Sequence, residues 1–138
     1  MNSMCKMNDE WTYVARRVKN KPLYIKGEGF SSALFKDSKG VSVDKDNGRT
    51  EEDVIDDEQR LHMYYMQKNN QVGNDAERLI AIVAVDKEII DEKNVCVENA
   101  ALPENMHHAL LKRSESEIAL TSSQAKGLAK HARILKRL

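Results

Sequence analysis

The chain has 138 residues, 22 basic against 22 acidic, with 41% hydrophobic and 32% charged side chains. That length suits a single domain able to bury its own core, and the composition excludes wholesale disorder, where few apolar residues accompany a large net charge. A net charge of zero removes the whole-molecule positive field that would gather phosphates.

Met1 to Lys6 lead into no apolar run of signal-peptide length, and the longest apolar stretch, Leu79 to Val85, falls far short of a membrane span. Residues 1–10 read as a flexible segment preceding one domain over 1–138. Cys5 and Cys96 form neither a CxxC nor a Cys–His spacing. Cys96, between Val95 and Val97, therefore reads as a buried free thiol, and the protein as cytoplasmic with no membrane contact.

Trp11 to Val18 mixes β-branched and aromatic residues and predicts a first strand. Pro22 allows an extended piece at Leu23-Tyr24-Ile25, and Phe30 to Phe35 predicts a short strand or ordered loop. Gly40 to Asp44 alternates with period 2 and stops at the turn signal Asp46-Asn47-Gly48. Thr50, followed by three acids, caps a helix running to Lys68-Asn69-Asn70. Arg78 to Val85 is apolar on both faces, as a central strand requires. A helical turn at Asp86 to Glu92 and strands at Val95 to Glu98 and Met106 to Lys112 follow. Thr121 or Ser122 then caps a final helix to Leu138, with Ala125, Leu128, Ala132 and Leu135 as its apolar stripe. The fold class is α+β: a mainly antiparallel sheet of about five strands with two substantial helices, the second at the C-terminus.

Charge is segregated along the chain. Asp44 to Leu61 holds eight acids and three bases, and Thr121 to Leu138 holds five bases and no acid. The bases Lys126, Lys130, Arg133, Lys136 and Arg137, and the acids Glu51, Glu52 and Asp56, are candidate partner-binding or nucleic-acid-binding residues. They can meet within the chain, pair two copies in a homodimer, or track phosphates presented by a larger partner. No aromatic interleaves the five bases.

Catalytic motifs are sparse. Gly27-Glu28-Gly29 lacks the third glycine of a dinucleotide loop. Glu58 and His62 share a helical face, and His107 and His108 on a strand would point apart; neither pair makes a metal site, and no cofactor is implied. Ser31 and Ser32 would become nucleophiles if His108 and Asp44 reached them. An ADP-ribosyl-transfer template would instead cast Arg16 or Arg17, Ser31-Ser32 and Glu98 in its roles.

The segments Ser31-Ser32-Ala33-Leu34-Phe35, Gly40-Val41-Ser42-Val43-Asp44 and His108-Ala109-Leu110-Leu111, followed by a basic Ala-rich end, have the order SSxxF…G(V/L)SVD…HAxL. In this the chain resembles a set of uncharacterised small bacterial proteins, some associated with mobile or phage-defence loci. It departs from them at Ile25-Lys26, where they often carry an Arg after the early Tyr. The resemblance implies a shared fold and a setting beside a nucleic-acid-targeting effector such as a CRISPR-type nuclease. The expected function is a non-enzymatic accessory protein, a homodimer binding that effector through its opposed charges. The alternative is a small enzyme acting on a nucleotide or phosphodiester through Ser31, Ser32 and His108.

Overall fold

The computed structural model describes residues 10–138; the flexible segment read at 1–10 lies, but for Glu10, outside them. Among the described residues eight strands form in chain order: β1 (Tyr13–Lys19), β2 (Ile25–Lys26), β3 (Gly29–Phe30), β4 (Val41–Lys45), β5 (Leu79–Asp86), β6 (Cys96–Asn99), β7 (His108–Lys112) and β8 (Arg133–Arg137). The helices are α1 (Glu51–Lys68), α2 (Lys87–Glu92) and α3 (Ser122–His131). Six strands make one antiparallel sheet in the order β6-β7-β4-β1-β5-β8, while β2 and β3 form a separate hairpin. The class is α+β, as the sequence predicts.

Alternation along the strands sends side chains to two covered faces. Val14 and Val18 of β1 and Ala81, Val83 and Val85 of β5 join Ile90 of α2, Ala125 and Leu128 of α3, and Leu34 and Phe35. On the other face Tyr13, Ala15, Ile82 and Ala84 pack with Val54 of α1. Thr50 caps α1 by accepting the Asp53 N–H, and Thr121 caps α3 in a reciprocal box with Gln124.

Several expectations change. The final helix stops at His131, and Arg133–Arg137 adds an antiparallel edge strand to β5, giving six strands rather than five. Ala125 and Leu128 face the sheet from α3, but Leu135 lies on the opposite face, beside the α1 side of the core. The extended piece after Pro22 is a 3-10 turn at Pro22–Tyr24, and Phe30 to Phe35 divides into β3 and a second 3-10 turn at Ser32–Phe35. Cys96 is buried but disulfide-bonded, which corrects its reading as a free thiol. No helix among the described residues is long and apolar enough to cross a membrane.

Two features of the sheet create room for a site. β1 pairs with β5 along its whole length but with β4 only at Val14↔Lys45 and Ala15↔Asp44, so the two strands part beyond Ala15. The Arg16 guanidinium spans the gap, Nε donating to Leu34 O (2.7 Å) and Nη1 to Ser42 O (2.6 Å). In addition, α1 packs over β1, β5 and β8. Towards β4 its face carries an acid, Glu58, and not an apolar residue.

Candidate functional sites: a basic cleft and a split-sheet groove

The first candidate lies between the β2–β3 hairpin and α3. A cleft of about 530 Å³ is lined by Lys26, Phe30, Ser31, Ser32, Ala129 and two lysines four apart on α3, Lys126 and Lys130. The spacing of four puts both ammonium groups on one helix face, and the packing of α3 on the Ser32–Phe35 turn brings that face to the serines. No acidic side chain is among the lining residues, and all three lysines are exposed. Ser31 is committed to structure: its Oγ donates to Leu23 O (2.5 Å) and accepts from Ala33 N–H (3.3 Å), capping the 3-10 turn. Thus two groups of residues read separately from the sequence, the serine pair and the first two bases of the C-terminal segment, share one cavity. Phe30 supplies the aromatic that the basic segment lacks in sequence.

The remaining bases lie elsewhere. Arg133 is used within the chain: Nε donates to Asp86 (3.1 Å), Nη1 pairs with Glu51 (3.6 Å), and the guanidinium sits 5.0 Å from the Tyr13 ring centroid. Arg137 donates to Glu28 O (2.7 Å), and Lys136 is exposed on the edge strand. Glu52 and Asp56 are exposed on α1.

The second candidate is the groove where β1 and β4 part, a hollow of about 270 Å³ lined in part by Arg17, Tyr24, Ser42, Asp44, Glu58 and His108. Arg17 Nη1 reaches both carboxylates, Asp44 Oδ2 at 3.3 Å and Glu58 Oε1 at 3.4 Å. Asn105 donates to Asp44 Oδ1 (2.5 Å), and Tyr65, under the Arg17 guanidinium at 5.8 Å, donates to Glu104. His108 faces Asp44 across the β4–β7 ladder, and its Nδ1 lies 2.8 Å from Ala100 O. A carbonyl only accepts, so Nδ1 carries the hydrogen of that bond.

The two carboxyls are driven apart in acidity. Burial pushes Glu58 well above the usual carboxylate range, and the adjacent Asp44 carboxylate adds to the rise. Burial also raises Asp44, but hydrogen bonds from Glu58 and Asn105 and the charge of Arg17 outweigh it, and the net shift is downward. The pair therefore holds one proton, on Glu58. Glu58 Oε2 is buried with no hydrogen-bond partner among the described residues. Burial and the Glu104 hydrogen bond push the Tyr65 phenol up to about 12.

The predicted Ser31–Ser32–His108 set is divided between the two hollows: the serines line the cleft and His108 the groove. Of the ADP-ribosyl-transfer set, Arg16 and Arg17 line the groove, whereas Glu98 is on β6, paired with Lys112 at 3.0 Å. His107 precedes β7 and contacts Asn47. Among the described residues no three His, Cys, Asp or Glu side chains are grouped to hold a metal ion. Compared with protein-family models, curated proteins and solved structures, the chain matches none.

Proposed function

We propose that the protein is a nucleic-acid-binding interaction protein that holds a single-stranded phosphate backbone in the cleft between the β2–β3 hairpin and α3. The observation that carries this is the convergence of Lys26, Lys126 and Lys130 around Ser32 and Phe30 with no acid on the lining. Three ammonium groups neutralise successive phosphates, a hydroxyl adds a donor, and an aromatic face accepts a base without demanding a sequence. In this reading the strand is presented by a larger targeting effector, the setting that the resemblance to proteins of mobile and phage-defence loci implies. Pairing of two copies through acidic α1 and basic β8 is the rival use of the charges. Arg133 counts against it, because that cation is already engaged by Glu51 and Asp86 of its own chain. A cytoplasmic setting fits a nucleic-acid target; the Cys96 disulfide, a bond that reducing compartments seldom keep, is the observation against it.

The test is fluorescence anisotropy with a labelled mixed-sequence single-stranded DNA. Binding is expected to weaken with salt at a logarithmic slope of about −2, since each single-strand phosphate contact contributes roughly −0.7. The double variant Lys126→Glu/Lys130→Glu, changed only at exposed helix positions, is expected to fold normally and bind at least about tenfold more weakly. Absence of binding in about 50 mM salt, where such contacts are strong, would overturn the proposal. So would binding that ignores both substitutions.

A further inference from the structure

A further hollow, of about 430 Å³, lies where the C-terminal half of α1 meets the 69–78 connection, the start of β5 and Leu138. It shares no lining residue with the lysine cleft or the groove and does not rest on the reading of either. Its walls are chiefly apolar, with Met63, Met66, Val72, Leu79 and Leu138 among them, and His62 stands in the same lining. His62 precedes Met66 by four positions on α1 and Met63 precedes it by three, so each is a helical neighbour of Met66, about 5–6 Å away at Cβ. Apolar side chains elsewhere on this helix fill the core, as Val54 and Leu61 do at no more than 2% exposure. Met63 is instead 50% exposed, and Met66, at 8%, keeps a face on the hollow. The half-buried imidazole of His62 makes no hydrogen bond or ion pair among the described residues. The acidic side chain on the lining, Asp75, is already engaged by Asn20 (2.9 Å) and Arg78 (3.1 Å). The donors left to the hollow by α1 are therefore two thioether sulfurs and an imidazole nitrogen.

We propose that His62, Met63 and Met66 form a binding site for a soft monovalent metal ion, copper(I), for which silver(I) is the redox-stable analogue. The ligand atoms are the two Sδ and one imidazole nitrogen. Thioether sulfur is polarisable and uncharged, and it offers nothing to Mg²⁺ or Ca²⁺, which take oxygen. Zinc sites in proteins draw on thiolate, imidazole and carboxylate, and of these the hollow has only His62 at liberty. Copper(I) takes thioether and imidazole together and asks for no anionic partner, so a site of this kind stands in an apolar surround without a buried charge to balance. Three rotatable bonds let each methionine swing its sulfur towards the imidazole without moving the helix. The helix is the rigid part: α1 runs for 18 residues, is capped by Thr50 and is held in the core by Leu61, next to the site. Groupings of His, Cys, Asp or Glu are a different donor class, so their absence among the described residues does not bear on a thioether site. Cys96 is held in a disulfide and brings no thiolate that would draw the ion elsewhere.

The experiment titrates silver nitrate, in chloride-free buffer, into the full chain carrying methyl-¹³C methionine and follows the six methionine methyl signals by NMR. Met63→Leu and Met66→Leu each remove one signal and so assign it; leucine keeps the volume, and the fold is expected to hold. The two assigned signals are expected to shift and to saturate at one equivalent of silver. Those of Met1, Met4, Met7 and the exposed Met106 are expected to stay in place over that range. Copper(I) is then measured by competition with bathocuproine disulfonate under nitrogen with ascorbate. Met63→Leu/Met66→Leu and His62→Gln are each expected to bind at least about tenfold more weakly than wild type, the least that loss of even a supporting partner costs a metal site. Met4→Leu/Met7→Leu, which leaves α1 untouched, is expected to bind as wild type does. The proposal is overturned by silver that moves Met4, Met7 or Met106 ahead of Met63 and Met66, and by a titration that moves none of the six. Copper(I) affinity unchanged in Met63→Leu/Met66→Leu or in His62→Gln overturns it equally.

Discussion

Arg17→Ala is expected to lower the unfolding free energy by about 3 kcal/mol at neutral pH, the lower part of the range for removing one partner of a buried ion pair. The substitution leaves Asp44, 2% exposed and ionised, with Glu58 and Asn105 hydrogen-bonded to it and His108 opposite it but without its guanidinium partner. Arg17 is the cation that both carboxylates share, so its loss removes two contacts and the stacking on Tyr65. Its side chain is 21% exposed, and water entering that opening holds the cost below the upper end. Glu58→Gln is expected to behave very differently, costing less than about 1 kcal/mol near neutrality, because an amide replaces a carboxyl that is already neutral and can still donate to Asp44. The two variants also differ in pH dependence. The folded state raises Glu58 above its ordinary value of 4.5, so above that value the unfolded chain releases a proton that the native chain keeps. Stability from this group is present at low pH and is lost as pH climbs towards the folded value. Asp44 has the opposite sign: lowered in the fold, its contribution disappears as pH falls below the ordinary 3.8. Urea melts of wild type and Glu58→Gln at about pH 5 and pH 8 should therefore show wild type losing ground to the variant at the higher pH. A constant difference would mean that Glu58 is ionised throughout.

How far the sequence revealed this arrangement depends on what kind of signal each element leaves. The Thr50 and Thr121 caps, the alternation at Val41 to Val43 and the apolar run at Leu79 to Val85 are local and correspond to α1, α3, β4 and β5. The last strand is different. Arg133-Ile134-Leu135-Lys136-Arg137 has a helix-like spacing from Ala125 and Leu128, and only the open edge of β5 decides that it extends. Tertiary pairing overrode propensity there, as it commonly does for short segments. Local signals of the groove were present in the sequence, although no groove was read from them. Adjacent Arg16 and Arg17 in a strand apolar on both sides must enter one face each, so each needs a buried partner. Glu58 stands within the apolar stripe Val54, Leu61 and Tyr65 of α1, a position where an acid signals a partner across the interface. What no spacing could reveal was that Arg17, Asp44 and His108, from β1, β4 and β7, converge on that acid. The cleft was equally hidden, because Lys26 and Phe30 are about a hundred residues from the α3 lysines that they face.

Phe35→Ala is expected to cost about 3–5 kcal/mol, the usual range for emptying a fully buried aromatic position, and its consequences should reach both candidate sites. Phe35 is the largest of the fully buried side chains, at the end of the 3-10 turn whose cap is Ser31. α3 packs against this turn, with Leu128 in the same cluster. A void there releases the support between Ser32 on one wall of the cleft and Lys126 and Lys130 on the other. One residue earlier, Leu34 O accepts the Arg16 Nε hydrogen bond that bridges the opening between β1 and β4. The same short turn thus backs the cleft and braces the groove. With total stabilities of about 5–15 kcal/mol typical of a domain, the variant should remain measurable but melt well below wild type, by roughly 10–20 °C at about 4 °C per kcal/mol. Phe35→Leu, which keeps most of the volume, is expected to recover the larger part of that loss. At a temperature where Phe35→Ala is still folded, weaker DNA binding would show that the turn positions the lysines. Binding equal to wild type, beside the large drop in melting temperature, would show that α3 carries its lysines independently of the turn.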